Sequence, residues 1–212
     1  MLVGMAGAGA AIGAAAPPPP IPPHAWAPAQ SLPLADTQHW PHLASVAQPL
    51  DGRPFFAEEI CGFHPSPKRQ FTSEQARARI EPGPGKWSLQ QQIVHFPGEL
   101  AQASDRAAAL FNSVVDALTK CPTQAPGVVV DITTPREPCA PQRCEQTAAT
   151  VRAPDGVTAH LYLSTVGAGV SELVVWSTGT PDVAWPAPAD DAALNDAVLS
   201  AITPPLCAAW QC

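Results

Sequence analysis

Apolar and polar side chains follow regular patterns from residue 86 to the end of the chain. Residues 99–120 place apolar side chains three and four positions apart, which predicts an amphipathic helix that ends at Cys121-Pro122. A second helix is expected from Asp190 to the proline pair at 204–205. Alternating or β-branched segments predict strands at residues 87–96, 128–134, 146–152, 157–165 and 170–178.

These elements predict an α+β fold with an antiparallel sheet of about five strands. Short turns such as Asp155-Gly156 favour hairpins, and two amphipathic helices can cover one face of the resulting sheet. We therefore expect both main helices on one face, a partly open opposite face, and disulfide bridges that staple the fold. Ahead of this core, residues 72–80 predict a short capped helix. The α+β domain is assigned to residues 53–212, with its core at 86–212.

The first fifty residues have a different composition. They hold ten of the 27 prolines and a single charged residue, Asp36. Because proline fixes φ and lacks an N–H donor, residues 17–52 are expected to be an irregular, Pro-rich leader that links to the domain. Trp26, Trp40 and Trp185 lie beside Pro-rich chain, so we expect stacking between tryptophan and proline to hold the leader on the domain. Recognition of a carbohydrate or wall polymer is the alternative.

Residues 1–16 form a small and apolar segment that is typical of the hydrophobic part of a secretory signal peptide. The segment is too short and too glycine-rich to span a bilayer as a stable helix. Cleavage after Ala16, Ala25 or Ala27 and an uncleaved anchor remain open, and a disordered tail of a cytosolic protein is the competing interpretation. The signal interpretation predicts a secreted or envelope-associated protein with no transmembrane span in the mature chain.

The charge composition excludes two classes of protein. The formal net charge is −7, which argues against a nucleic-acid-binding protein. An apolar fraction of 46% is too high for a wholly disordered chain. The sequence lacks the motifs of nucleotide-binding loops, zinc hydrolases and serine hydrolases, so we expect no cofactor and no metal.

An even number of cysteines follows the leader: Cys61, Cys121, Cys139, Cys144, Cys207 and Cys212. Behind an export-like segment, this count predicts a disulfide framework rather than a zinc site, which would use Cys-x2-Cys pairs. The two Cys-x4-Cys pairs can each close a small loop, and the sequence does not choose among the many pairings. Our preferred set is a local Cys139–Cys144 staple, a Cys121–Cys207 bridge between the two helices, and a Cys61–Cys212 bridge.

Three residues are candidates for ligand binding: His95, His160 and Trp176. The histidines fall on predicted strands, where we expect them to face each other across the sheet. Glu172 or Asp131 would then complete a polar cluster on the open face. The tryptophan flanks the last strand, and its amphipathic ring suits a partly wet surface.

Two further sets of residues define alternative chemistry. Ser164, His160 and Asp131 are the members of a hydrolytic triad in an enzymatic interpretation of the chain. His39 and His42 place two imidazoles three positions apart in a leader without regular structure, where a mobile pair has no outer hydrogen-bond partners to orient it on a metal. A satisfied or solvated histidine is the preferred interpretation in both cases.

The order of these elements resembles a known family. A Trp-led strand at residues 87–96 precedes a long Ala-rich helix ending in Cys121, and four strands and a Cys-bearing C-terminal helix follow. This arrangement is similar to the PknH-like extracellular sensor domain of actinobacterial membrane Ser/Thr kinases, which also occurs in secreted mycobacterial proteins. The resemblance implies a disulfide-stapled antiparallel sheet with a ligand cleft, and matches Cys121 and Cys207 to the pair that links the helices.

The function expected from these observations is that of an exported, non-enzymatic envelope protein with a sensor-type domain for an unknown ligand or protein partner. One alternative is a secreted hydrolase with a non-standard site near His95 or His160. A second alternative is a wall-associated structural protein that uses the leader as a spacer.

Overall fold

The computed structural model describes residues 21–63, 73–83, 85–139, 144–188 and 191–210, so the predicted signal segment lies outside the described residues. Within these ranges, seven strands form one antiparallel sheet in the order β1-β2-β3-β7-β6-β5-β4. The strands are β1 Ala47–Pro49, β2 Glu74–Ile80, β3 Ser88–His95, β4 Val129–Cys139, β5 Cys144–Arg152, β6 Val157–Val166 and β7 Gly169–Thr178. The α-helices are α1 Ala35–Gln38, α2 Leu43–Val46, α3 Phe56–Ile60, α4 Leu100–Gln124 and α5 Ala192–Trp210.

The α+β class holds, but the expected number of about five strands is wrong because β1 and β2 extend the sheet. β2 replaces the helix predicted over residues 72–80 and pairs with β3 along its whole length, from Glu74↔His95 to Ile80↔Leu89. Alanine, arginine, glutamate and glutamine all favour helices, yet this segment alternates in polarity. Pairing with a buried neighbouring strand outweighs the small intrinsic preference for helix.

The two long helices pack on opposite faces of the sheet, so the prediction that both cover one face is also wrong. On β7, Val170, Val174 and Trp176 belong to the apolar cluster that includes α4. Leu173 and Val175 of the same strand belong to the cluster that includes α5. A strand buried on both faces has apolar side chains at consecutive positions, which is the pattern of β7.

The described part of the leader is packed against the sheet, and the expectation of irregular chain is wrong for residues 21–49. Two short 3-10 helices, Pro23–Ala25 and Ala29–Ser31, precede α1 and α2, and β1 joins the edge of the sheet. Trp26 and Trp40 are buried in the apolar cluster of α5, as expected for structural tryptophans. Trp40 Nε1 also donates to the Pro33 carbonyl at 2.8 Å.

Both long helices continue past the prolines that were predicted to end them. α4 includes Pro122 near its end, and α5 includes Pro204 and Pro205. Leu206 is fully buried beyond the proline pair, so packing on the sheet compensates for the missing N–H donors. By length and mean hydropathy alone, α5 is long and apolar enough to cross a membrane. Its residues Leu199 and Ile202, however, are buried in the protein core.

The disulfides differ from the preferred pairing in one important respect. Cys139–Cys144 closes the β4–β5 hairpin as predicted. Cys121 of α4 pairs with Cys61 at the end of α3, so the Cys121–Cys207 and Cys61–Cys212 pairings are wrong. Cys207 is disulfide-bonded, and its partner lies outside the described residues. Because Cys121 is bonded to Cys61, it is not available to bridge α4 to Cys207 of α5.

Candidate functional site

The candidate site is built on the polar face of β2. Ala76 and Ala78 point to the side covered by α2 and the rest of the leader, and both are buried there. Arg77 and Arg79 alternate with these alanines and therefore point to the opposite face of the sheet. On that face α4 packs over β4, β6 and β7, which leaves β1 and β2 at the other end of the sheet free to line a groove.

The groove has a volume of about 690 Å³ and lies between β1, β2 and the segment that leads to α3. A volume of this size is in the range of small-molecule sites. Its lining residues are Val46, Gln48, Pro49, Leu50, Asp51, Arg53, Arg77 and Arg79. The lining thus holds three of the eleven lysines and arginines of the chain and one acid, in a protein whose net charge is −7.

Arg77 is fixed in the wall of the groove by several hydrogen bonds. Its Nε and Nη2 donate to Gln92 Oε1 at 3.0 and 2.7 Å, and Nη2 also donates to the Pro54 carbonyl at 2.7 Å. An ion pair with Glu59 spans 3.2 Å, and only 10% of the arginine side chain is exposed. Nη1 has no hydrogen-bond partner among the described residues, so its two donors remain for a ligand.

Arg79 lies beside Arg77 and is braced in a similar way. Its Nη1 donates to Gln90 Oε1 at 3.3 Å, and its Nη2 donates to Glu81 at 2.7 Å. The guanidinium carbon lies 5.2 Å from the centre of the Trp176 ring, a cation–π contact. The predicted candidate Trp176 is therefore buried beneath an arginine of the groove and does not line the groove itself.

Arg53 and Asp51 form the exposed rim of the groove. Neither side chain has a hydrogen-bond or ion-pair partner among the residues that the structure describes. The Arg53 backbone is nevertheless held in place, because its carbonyl accepts from Gln92 Nε2 at 3.1 Å. Gln92 thus connects the rim and the wall of the groove.

A buried carboxylate, Glu172 of β7, anchors the segment that forms one side of the groove. Its two oxygens accept from the backbone N–H groups of Phe56 and Ala57 at 2.7 and 3.0 Å. Burial raises the pKa of Glu172 to about 8, and the nearby Glu58 carboxylate adds to this effect. The two backbone N–H bonds and Arg77 act in the opposite direction.

The predicted histidine candidates do not meet. His160 is stacked on Trp185 with ring centres 3.8 Å apart, and its Nδ1 lies 3.2 Å from Thr150 Oγ1. Burial lowers the pKa of His160 to about 4, and Arg152 contributes to the shift. His95 is stacked on Trp210 at 4.2 Å.

The residues that pair with these histidines on β7 show how far apart the histidines lie. His95 pairs with Gly169 and His160 with Val175, six positions apart along the strand. His95 Nδ1 lies 2.9 Å from Glu74, whereas the buried Glu172 lies on the other face of the sheet. The predicted cluster on an open face is therefore not formed.

The alternative hydrolytic triad is not assembled either. Ser164 Oγ lies 2.8 Å from Thr203 Oγ1, and Asp131 pairs with Arg152 at the surface. The described parts of the chain contain no group of three His, Cys, Asp or Glu side chains that could hold a metal ion. His39 and His42 lie at the surface of the leader, where they line a second cavity of about 400 Å³.

The arginines of the groove were missed because a helix was predicted at residues 72–80. Positions two apart lie on different sides of a helix, so Arg77 and Arg79 would not cooperate there. In a strand the same spacing places them side by side on one face. The signal in the sequence is the strict alternation Gln75-Ala-Arg-Ala-Arg79.

Comparison with known proteins finds no sequence match and a distant structural one. No family model and no curated protein sequence matches this chain. The extracellular domain of PknH from Mycobacterium tuberculosis is a solved structure that resembles this one, with a TM-score of 0.36 and 12% sequence identity. The match covers 62% of this chain and 64% of that one, which is less than two thirds of the PknH domain. A similarity this distant carries no argument about a ligand or a mechanism.

Proposed function

We propose that this chain is an exported, non-enzymatic binding domain that holds an anionic ligand in the groove between β1 and β2. The observation that carries the proposal is the pair Arg77 and Arg79 on one wall, with Arg53 at the rim. Guanidinium groups present planar pairs of N–H donors that match carboxylate and phosphate oxygens. The chain as a whole is acidic, so this concentration of positive charge is local.

The disulfides support an extracytoplasmic location. Cys61–Cys121 and Cys139–Cys144 are bridged, and Cys207 is also disulfide-bonded. Bridges of this kind persist in oxidising compartments and are rare in the cytosol. Within such compartments we favour a secreted or envelope-associated protein.

The groove also lacks the usual parts of an acid–base site. Its lining contains one carboxylate, Asp51, and no histidine, cysteine or serine. General acid–base catalysis uses a pair of groups with matched pKa values within reach of a reacting atom. The lining of the groove is therefore better suited to binding than to bond cleavage.

Equilibrium binding of citrate, measured by calorimetry at constant ionic strength, tests the proposal. Arg53→Gln is the informative variant because the Arg53 side chain has no partner among the described residues, so its loss leaves the fold intact. We expect citrate affinity to fall about five- to tenfold, which corresponds to one charge-assisted contact.

Arg106→Gln is the matched control. Arg106 is exposed on α4, lies outside the groove, and likewise has no side-chain partner among the described residues. The control removes the same positive charge from the chain, so it separates the local contact from the change in net charge. Equal affinities of the two variants, or no citrate binding by the unmodified protein, would count against the proposal.

A further inference from the structure

The proposed anion site has two separate positive centres at a fixed spacing. Arg77 and Arg79 are two positions apart on β2, and Ala78 between them points to the other face of the sheet. Alternate residues of a strand are about 6.5 to 7 Å apart, because each residue advances the strand by about 3.3 Å. Nothing from β2 itself stands between the two arginines.

Cross-strand glutamines keep the two guanidinium groups at that spacing. Arg77 pairs in register with Gln92 and bonds to its side chain, and Arg79 does the same with Gln90. Both arginines thus extend in the same direction, toward β3, and each is tied to its own row of the sheet. Neither is free to swing toward the other and share a single small anion.

The protein's own carboxylates show that each arginine takes a separate anionic partner. Glu59 lies 3.2 Å from Arg77, and Glu81 lies 2.7 Å from Arg79. The Arg79 and Glu81 side chains are 36% and 53% exposed, so theirs is a surface pair that a ligand carboxylate can replace at little cost. Arg77 is only 10% exposed and keeps its contact with Glu59. No single acid among the described residues bridges the two arginines.

From this geometry we infer that the groove recognises a dianion whose two carboxylate or phosphate groups are about 7 Å apart. One group binds Arg77 through its unpartnered Nη1, and the other binds Arg79 in place of Glu81. Arg53 at the rim adds a third positive charge. This inference rests on the proposed function, because it specifies the ligand class of the same groove.

A series of linear dicarboxylates from three to eight carbons, together with hexanoate, measures the spacing directly. With bonds of about 1.5 Å, the carboxyl carbons of the extended six- and seven-carbon members are about 6 to 8 Å apart. We expect affinity to peak at these lengths, at least about tenfold above malonate and hexanoate, since only they engage both arginines. A parallel series of linear bisphosphonates shows whether carboxylate or phosphate is preferred, and the same optimum is expected in both series.

The variant Arg79→Gln removes one of the two centres. Its dicarboxylate affinities are expected to fall to the level of hexanoate at every chain length, whereas Arg106→Gln keeps the optimum. Affinities that do not depend on length, or that are highest for malonate, would overturn the inference. If the affinity does not depend on chain length but still falls in Arg53→Gln, the proposed anion site stands and the inferred spacing fails. Absence of binding by every anion overturns both proposals.

Discussion

The buried carboxylate of Glu172 makes a specific prediction about the pH dependence of stability. Its pKa rises from about 4.5 to about 8 on folding because burial disfavours the charged form. Between these pH values the folded protein holds a proton that the unfolded chain has lost. The stabilisation is therefore fully present below pH 4.5 and is lost as the pH rises through 8.

His160 acts in the opposite direction over part of this range. Its pKa falls from 6.5 to about 4 on folding, so its contribution improves stability as the pH rises from 4 to 6.5. The two effects nearly cancel between pH 4.5 and 6.5. Above pH 6.5 the His160 contribution is complete and that of Glu172 continues, so the loss from Glu172 between pH 6.5 and 8 is on the order of 2 kcal/mol at 1.36 kcal/mol per pH unit.

Urea unfolding with the disulfides intact, at pH 5, 6.5 and 8, tests this reasoning against the variant Glu172→Gln. The variant loses an acceptor for one backbone N–H, so at pH 5 its stability is lower by about 1 to 3 kcal/mol. The informative quantity is the change in the free energy of unfolding with pH. We expect the unmodified protein to lose stability between pH 6.5 and 8 and the variant to remain level. Parallel curves above pH 6.5 would show that Glu172 does not titrate there.

Three further predictions follow from the packing. Trp185→Ala removes the ring stacked on His160, so the histidine pKa should rise from about 4 toward 6.5 in an NMR titration; an unchanged pKa would contradict burial as its cause. Replacing both Cys61 and Cys121 with serine should lower the free energy of unfolding in urea by about 4 kcal/mol, because this bridge closes a 60-residue loop. Removal of the Cys139–Cys144 bridge should cost about 2 kcal/mol, and a larger loss there than for Cys61–Cys121 would show that loop entropy does not set the difference. Leu43→Ala should lower stability by about 2 to 5 kcal/mol, since this leader residue is 1% exposed; a change within 0.5 kcal/mol would show that the leader is not part of the core.

Secondary structure was predicted correctly for segments with strong periodic patterns. The strands expected at 87–96 and 157–165 correspond to β3 and β6, and the long helix expected at 99–120 corresponds to α4. In each case apolar residues recur at the period of the element that they form. Local sequence is sufficient there because tertiary packing and intrinsic preference agree.

Other parts of the fold depend on contacts that a local pattern does not contain. The leader buries Ile21, Trp26 and Leu43 among prolines and small residues, with no period that marks a packed segment. Likewise, the choice of sheet face for α5 depends on the run of apolar residues along β7. That run indicates a strand that is buried on both faces of the sheet.

The candidate site was not predictable for a related reason. Arg77 and Arg79 become neighbours only because β2 is a strand, and Arg53 reaches the same groove from a segment more than twenty positions away. The position of that segment depends in turn on Glu172, which lies 116 residues from Phe56 in the chain. The histidines were predicted as ligand-binding residues from their chemistry, whereas the structure stacks them against tryptophans at separate positions on the sheet.

The central claim is that the three arginines of the groove bind an anion. An NMR titration of the ¹⁵N-labelled protein with adipate, which follows the arginine Nε–Hε signals, tests it most directly. We expect saturable shifts for Arg53, Arg77 and Arg79, with Arg106 and Arg152 unchanged at constant ionic strength. Uniform small shifts of all arginines, or shifts confined to residues outside the groove, would contradict it.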